Sequence, residues 1–256
     1  MLKAIWAARW YLLLGFFTFV IVLAINTPLH FVWRFIEPQA ARLPVRIEQP
    51  AGTIWDGRLQ LRIPQLSSLG SLETQWRLSP LGLFAGRADL NLRISGDGVR
   101  LRTAASLGSD QVLKIQDAEG FLETAVVAPL LKRNRITVGG NAELSQLNAV
   151  VDLSARAVTA VSGRLVYSGG EVGFPVNNKP VSATMPMLIG DLSMSDERAV
   201  INVNTMEGQS LIQGYLQPDG WGGVTIRRRL LDVLGQQWPA QATEDTVIFE
   251  VSHKVL

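Results

Sequence analysis

Apolar residues along this chain keep two different rhythms. From Leu12 to Ile25 they run almost unbroken, with only Gly15, Thr18 and Ala24 between large aliphatic and aromatic side chains, and no Asp, Glu, Lys or Arg occurs from Tyr11 to Val32. A helix needs about 20 such residues to cross the hydrocarbon layer of a bilayer. Beyond this run the period falls to two. In Arg87–Ile94 the apolar set Ala88, Leu90, Leu92, Ile94 alternates with Arg87, Asp89, Asn91, Arg93, the pattern of a strand with one wet face. Leu59, Leu61 and Ile63 repeat it, as do Ile201 and Val203, and Val247, Phe249 and Val251. Turn signals punctuate these runs at Gly96-Asp97-Gly98, Gly139-Gly140, Gly169-Gly170 and Asp219-Gly220. The expectation is about twelve to fifteen mostly antiparallel strands joined by short turns.

The first rhythm predicts one transmembrane helix over residues 10–32, anchored at headgroup depth by Trp10 and Tyr11 at one end and Phe31 and Trp33 at the other. A cleaved export signal is the rival, with Lys3 and Arg9 as its basic start, Leu12–Ile21 as its core and Val22-Leu23-Ala24 as its cleavage site. Against it, the apolar run continues through Ile25, Leu29, Phe31 and Val32. A buried core helix fits less well, since a soluble fold rarely needs a helix apolar on every face. Lys3 and Arg9 on one side are balanced by Arg34, Arg42 and Arg46 on the other, so charge alone does not orient the span. A short tail over residues 1–9 is easily kept in the cytosol, and a β-rich domain over 33–256 is expected outside the cytoplasm.

Helices are expected to be few outside the span. Leu29–Ala41 either continues it or forms a short juxtamembrane helix stopped by Pro44. Glu123–Asn134 has a helical grouping, with Pro129 in its first turn or bending it, and Val224–Gln237 has another, with Ile226, Leu230, Leu231, Val233 and Leu234 near one face and Arg227, Arg228 and Arg229 ahead of the leucines. That triplet reads as a solvated helix face, with binding of acidic headgroups or a partner as the alternative. Gly52-Thr53-Ile54-Trp55-Asp56-Gly57-Arg58 is echoed loosely by Gly82-Leu83-Phe84-Ala85-Gly86-Arg87. Each places glycines beside bulky side chains at the opening of a strand, where the backbone must bend. Trp55, Trp76 and Trp221 read as core anchors.

Composition adds mostly exclusions. Lys plus Arg number 24 and Asp plus Glu 22, so no nucleic-acid surface is indicated. The absence of cysteine removes disulfides, thiolate metal sites and cysteine nucleophiles without fixing the compartment. His30 and His253 lie far apart in sequence, and no nucleophile elbow, phosphate loop or zinc motif occurs. The acidic pairs Asp196-Glu197 and Glu244-Asp245 read as solvated turns, and Asp191, Asp196 and Glu197 lack the spacing of a calcium loop. No catalytic residue, cofactor or metal is implied, and an enzyme would need a constellation assembled from distant residues.

The string Gly52, Thr53, Trp55, Gly57, followed by Trp76, Leu78, Pro80, Leu81 and Gly86, resembles the signature of the N component of the bacterial type II secretion system, the GspN family. The resemblance extends to the layout of a short tail, one span and an ectodomain of this size. It implies an accessory inner-membrane protein of the machinery that exports folded proteins across the outer membrane of Gram-negative bacteria, with its large domain in the periplasm. It also implies kinship with AsmA-like envelope proteins, whose curved sheets form lipid-accommodating grooves. The motif itself is a packing pattern and carries no chemistry.

So many alternating strands with so few covering helices must fold on themselves, close, or leave a trough. The fold expected is mainly β: an N-terminal transmembrane helix, then a curved, mostly antiparallel, incompletely closed sheet with one or two short helices. Two functions follow. One is a membrane-tethered interaction and assembly protein that contacts other secretion components through sheet edges or loops. The other is a lipid-binding or lipid-transfer protein using an apolar β-groove. The partners expected are the inner-membrane bilayer, other secretion components and lipid in the groove, with no nucleic acid.

Overall fold

The computed structural model of the chain describes residues 2–40, 44–132, 135–176, 179–236 and 243–255. Two helices lead it, α1 (Leu2–Ile25) and α2 (Leu29–Ala40). Between them Asn26 and Thr27 turn their side chains back onto the carbonyls of Val22 and Leu23, at 2.8 and 2.9 Å. Pro28, which has no amide hydrogen to extend a helix, forms a bridge to Thr53 instead. The helix expected over residues 10–32 is therefore parted at Asn26–Pro28, and Phe31 and Trp33 belong to the second piece. Leu14, Phe16, Phe17, Phe19, Val22 and Leu23 all stand exposed on α1. Among the described residues no helix is long and apolar enough to cross a membrane; the side chains of residues 1–9 and of Leu12, Ile21, Ala24 and Ile25 lie outside the description.

Sixteen strands follow among the described residues: β1 (Arg46–Gly52), β2 (Asp56–Arg62), β3 (Leu72–Ser79), β4 (Arg87–Gly96), β5 (Val99–Gly108), β6 (Val112–Glu123), β7 (Thr137–Val138), β8 (Asn141–Asp152), β9 (Ala157–Tyr167), β10 (Gly170–Val176), β11 (Lys179–Met185), β12 (Leu188–Ser195), β13 (Arg198–Thr205), β14 (Ser210–Leu216), β15 (Trp221–Arg227) and β16 (Val247–Lys254). Thirteen make one sheet in the order β1-β2-β3-β4-β5-β6-β8-β9-β12-β13-β14-β15-β16, with every neighbouring pair antiparallel. The order starts at β1 and stops at β16, so the sheet is open, as expected, and is neither a sandwich nor a closed barrel. The short β7 and the β10–β11 hairpin form a separate three-stranded sheet, which takes the count above the range expected from alternation.

Bulges bend this sheet. Gln49 in β1, Asp117 in β6 and Gln146 in β8 all have positive φ, at 52°, 46° and 51°, where the pairing registers shift. An extra residue on one strand of an antiparallel pair bends that strand and increases its twist.

Cross-strand partners share a face. On one face the registers oppose Trp76 to Leu92, Leu101 to Gly120, Leu144 to Leu165, Ile201 to Gly214 and Val224 to Val251. On the other they oppose Arg58 to Gln75, Gln75 to Arg93 and Arg102 to Glu119, with ion pairs between Arg102 and Glu119 at 2.7 Å and Arg164 and Asp191 at 2.9 Å. One continuous apolar face thus runs from β2 to β16, backed by a polar one.

Little covers that apolar face. Among the described residues three short helices complete the fold, α3 (Pro80–Phe84), α4 (Thr124–Lys132) and α5 (Arg229–Val233), with a 3-10 segment at Pro64–Leu69. α4 and the 3-10 segment close a cluster around Leu69, Leu72 and Val126. α5 closes a second around Leu188, Leu211 and Leu230, where Leu211 is fully buried. Because the sheet meanders, both clusters lie at one end of the strands, hereafter the capped end; the other end carries tight turns and α3.

Of the two helix expectations, the first is met by α4 and the second changes. Pro129 lies inside α4, past its first turn, and Asn134 falls outside the described residues. The grouping over Val224–Gln237 divides: Val224 and Ile226 alternate with Thr225 and pair with Gly214 and Ile212 in the sheet, leaving only Arg229–Val233 helical. Residues 237–242 lie outside the description.

Candidate interaction surfaces

The motif residues gather at the tight-turn end, where β1 turns into β2 and β3 into β4. Thr53 closes the first turn: its amide donates to the Asp56 carbonyl at 2.9 Å, and its hydroxyl accepts from the Asp56 amide at 3.1 Å. Gly52, with φ of +91°, has no room for a Cβ against the Asp56 carbonyl. Gly57 is the floor beneath Trp76; a Cβ there would meet the indole Cζ2 and lie 2.7 Å from Cε2. The Trp76 indole N–H donates to the Ile54 carbonyl at 3.0 Å, and the Leu78 amide donates to the Trp55 carbonyl at 2.6 Å. Trp55, Trp76, Leu78 and Pro80 are half-buried, Gly86 takes φ of +69°, and Leu81 projects into solvent. Trp221 departs from the core role expected of it: it is 44% exposed at the start of β15.

A trough of about 380 Å³ opens on the apolar face over β12–β16, walled by Leu192, Ile201, Leu216, Val224, Val251 and Val255. Gly214 and Gly222 are part of its lining, and a Cβ at either would lie 2.8 Å from a side-chain methyl, of Ile201 and of Val255 respectively. His253 borders the trough while His30 sits exposed on α2.

The two edges of the sheet differ. β1 is covered by α2, whose Leu29 is buried, and it is interrupted by its bulge and by Pro50. Among the described residues no strand lies beyond β16, and all of its residues except Ile248 are exposed. Natural sheets usually blunt an edge with a bulge, a proline or a covering element, and β1 has all three. β16 has its own bulge at Ile248, where the register shifts opposite Ile226 and Arg227, but over residues 249–253 it has no bulge, no proline and, among the described residues, no covering element.

The charged groups read as solvated are in part tied to one another. Arg229 reaches Glu244 at 3.1 Å and Asp245 at 3.3 Å, and Arg227 donates to the Asp245 carbonyl at 3.3 Å. The Arg229 side chain is only 18% exposed. The triplet is thus a clasp joining α5 to the approach of β16, and neither it nor the Glu244-Asp245 pair is a free surface feature. Asp191 is held by Arg164, across the strands from the Asp196-Glu197 turn, so the three acids do not converge. Among the described residues no group of three metal-ligating side chains comes together. Burial raises the pKa of the Tyr167 phenol, whose hydroxyl donates to the Gly139 carbonyl at 2.6 Å. That bond secures the β7–β10 excursion to the main sheet.

Comparison with known proteins returns one family. The model of type II secretion system (T2SS), protein N, matches residues 44–236, from just before β1 to just beyond α5. No curated protein and no solved structure matches the chain.

Proposed function

We propose that this chain, which belongs to the type II secretion system protein N family, serves that system as a membrane-tethered docking protein. Family membership carries an accessory role in type II protein secretion, contact with other components of the system and a place in the cell envelope. The finer reading is that α1 spans the inner membrane from a cytosolic tail, with Trp10 and Tyr11 at one headgroup layer, and that the sheet stands in the periplasm. The open strand β16 then receives an extended segment of a neighbouring secretion component by strand addition, main-chain hydrogen bonds supplying affinity and alternating side chains selectivity.

The observation supporting this reading is the inequality of the edges: β1 is covered, bulged and interrupted by Pro50, while β16 is bulged only near its start, at Ile248, and stays exposed from Phe249 to Lys254. A photo-crosslinking residue at Glu250 or Ser252, in a strain secreting through this system, is expected to trap another secretion component, whereas the same residue on β1 at Glu48 traps none. Normal secretion by an otherwise wild-type strain carrying Glu250→Pro and Ser252→Pro, with no crosslinks at β16, would rule the docking edge out.

A second reading is favoured by the trough over β12–β16, whose walls are aliphatic and whose floor is glycine. In it the apolar face receives a lipid acyl chain. Native mass spectrometry of the full chain is expected to retain lipid, and to lose it when Val224 and Val251 are replaced by lysine.

A further inference from the structure

We propose that α3 is a second membrane contact, an interfacial anchor that lays the tight-turn end of the sheet on the surface of the bilayer. The proposal rests on the reading of α1 as a membrane span. From Pro80 to Gly86 the chain carries no charge. Within it Leu81 is 77% and Phe84 87% exposed, and Phe84 is the most exposed of the large apolar side chains described.

That exposure is built into the backbone. Gly82 is the buried side of the turn, because a Cβ there would lie 2.6 Å from the Asp89 carboxylate and 2.7 Å from the Arg87 carbonyl. Arg87 locks that carboxylate in place through two hydrogen bonds of 2.6 and 3.1 Å. The Ala85 and Gly86 amides close the turn onto the Gly82 and Leu83 carbonyls, both at 3.0 Å. With its inner side fixed, α3 directs Leu81 and Phe84 outward.

Position identifies the occupant. The Leu78 amide, two residues before Pro80, is bonded to the Trp55 carbonyl; Trp55 lies two residues after Thr53, and Thr53 is bridged to Pro28. Pro28 follows Ile25, the last residue of α1, by three positions. The exposed turn therefore lies at the same end of the sheet as the point where the apolar helix joins the domain, and Phe31, 56% exposed, lies at that junction. Two or three side chains are far fewer than the 20 to 30 per partner, roughly, of a stable protein interface. They suit an amphipathic element that inserts only to headgroup depth. A single span leaves a domain free to swivel; a second contact fixes which way β16 and the trough face.

The chain has no cysteine, so single cysteines can be labelled without background. The full chain, reconstituted in phosphatidylcholine–phosphatidylglycerol vesicles, would carry an environment-sensitive fluorophore at Phe84→Cys, at Phe17→Cys in α1, or at Met206→Cys, which is exposed at the capped end. Nitroxide lipids report depth. The expected result is strong quenching at Phe17 by nitroxides deep in the acyl chains, and several-fold stronger quenching at Phe84 than at Met206 by nitroxides near the headgroup. Quenching at Phe17 with Phe84 behaving like Met206 would overturn the anchor and leave the span standing. No quenching at Phe17 would overturn both. Leu81→Cys repeats the measurement should Phe84→Cys fail to fold.

Discussion

Gly57→Ala is expected to loosen the corner that joins the first two hairpins. The backbone at Gly57 is ordinary strand, so any penalty comes from space: the new methyl would overlap the Trp76 indole, with Cε2 and Cη2 both at 2.7 Å. Overpacking of this kind costs about 1–3 kcal/mol. A displaced indole also loses its bond to the Ile54 carbonyl, a loss of about 1 kcal/mol. Against these stands a gain of about 0.4–1 kcal/mol from the stiffer unfolded chain. The net destabilisation is about 2 kcal/mol, readable as a lower denaturant midpoint by far-UV circular dichroism, which avoids the overlapping signals of seven tryptophans. The same substitution in a Trp76→Leu background should be nearly neutral, because the obstacle has gone. If Gly57→Ala leaves the midpoint unchanged, or if the two substitutions add without coupling, the indole is not seated on Gly57 and this account of the corner is wrong.

Three other outcomes are expected. In the clasp between α5 and β16, Glu244→Gln with Asp245→Asn should lower the melting temperature more than Arg229→Met does, since the arginine is the buried partner at 18% exposure and the acids are 66% exposed; equal losses would contradict the burial argument. Asp152 has its pKa lowered, first by the Ser154 hydroxyl and then by the Ala155 amide. A depressed carboxylate stabilises the fold above its unfolded pKa, near 4, and that contribution fades as pH falls through the folded value. Chemical denaturation should therefore show wild type more stable than Asp152→Asn at neutral pH and the gap closing in acid, whereas a gap that widens in acid would refute the sign. Finally, Val224→Lys with Val251→Lys should abolish lipid retention in native mass spectra while leaving the circular dichroism spectrum intact, both positions being partly solvated already.

Strands with a wet face were the most legible part of the chain, because alternation is a local property. Arg87–Ile94 lies wholly within β4, and Asp97-Gly98 and Asp219-Gly220 do form turns, with Gly98 and Gly220 at φ of 71° and 85°. Where one rhythm passes into another, reading by period failed. Val224 and Ile226 belong to a strand and Leu230 and Leu231 to a helix, yet together they resemble one helical face. The break at Asn26–Pro28 was hidden for a different reason: apolar residues continue on both sides of it, and what ends α1 is a proline together with two side chains turned back on the helix. Contacts between distant residues left no trace at all. The pairing of Arg229 with Glu244 and Asp245, the seat of Gly57 under Trp76, and the exposure of Trp221 and Leu81 depend on which strands lie side by side. Of the motif glycines, Gly52 and Gly57 sit where a Cβ would collide, whereas Gly86 has room for one and is set apart by its positive φ; the outward direction of Leu81 and the open edge at β16 required the register of the whole sheet.

The most direct test of the account is topology. Single cysteines at Ala4 and Ser252 would be exposed, in separate strains, to a maleimide that crosses the outer membrane but not the inner one. Labelling of Ser252→Cys in intact cells, with Ala4→Cys labelled only after the inner membrane is opened, is the result predicted for a sheet domain held in the periplasm by α1. Labelling of Ser252→Cys only from the cytosolic side would place β16, the trough and α3 in the wrong compartment and contradict it.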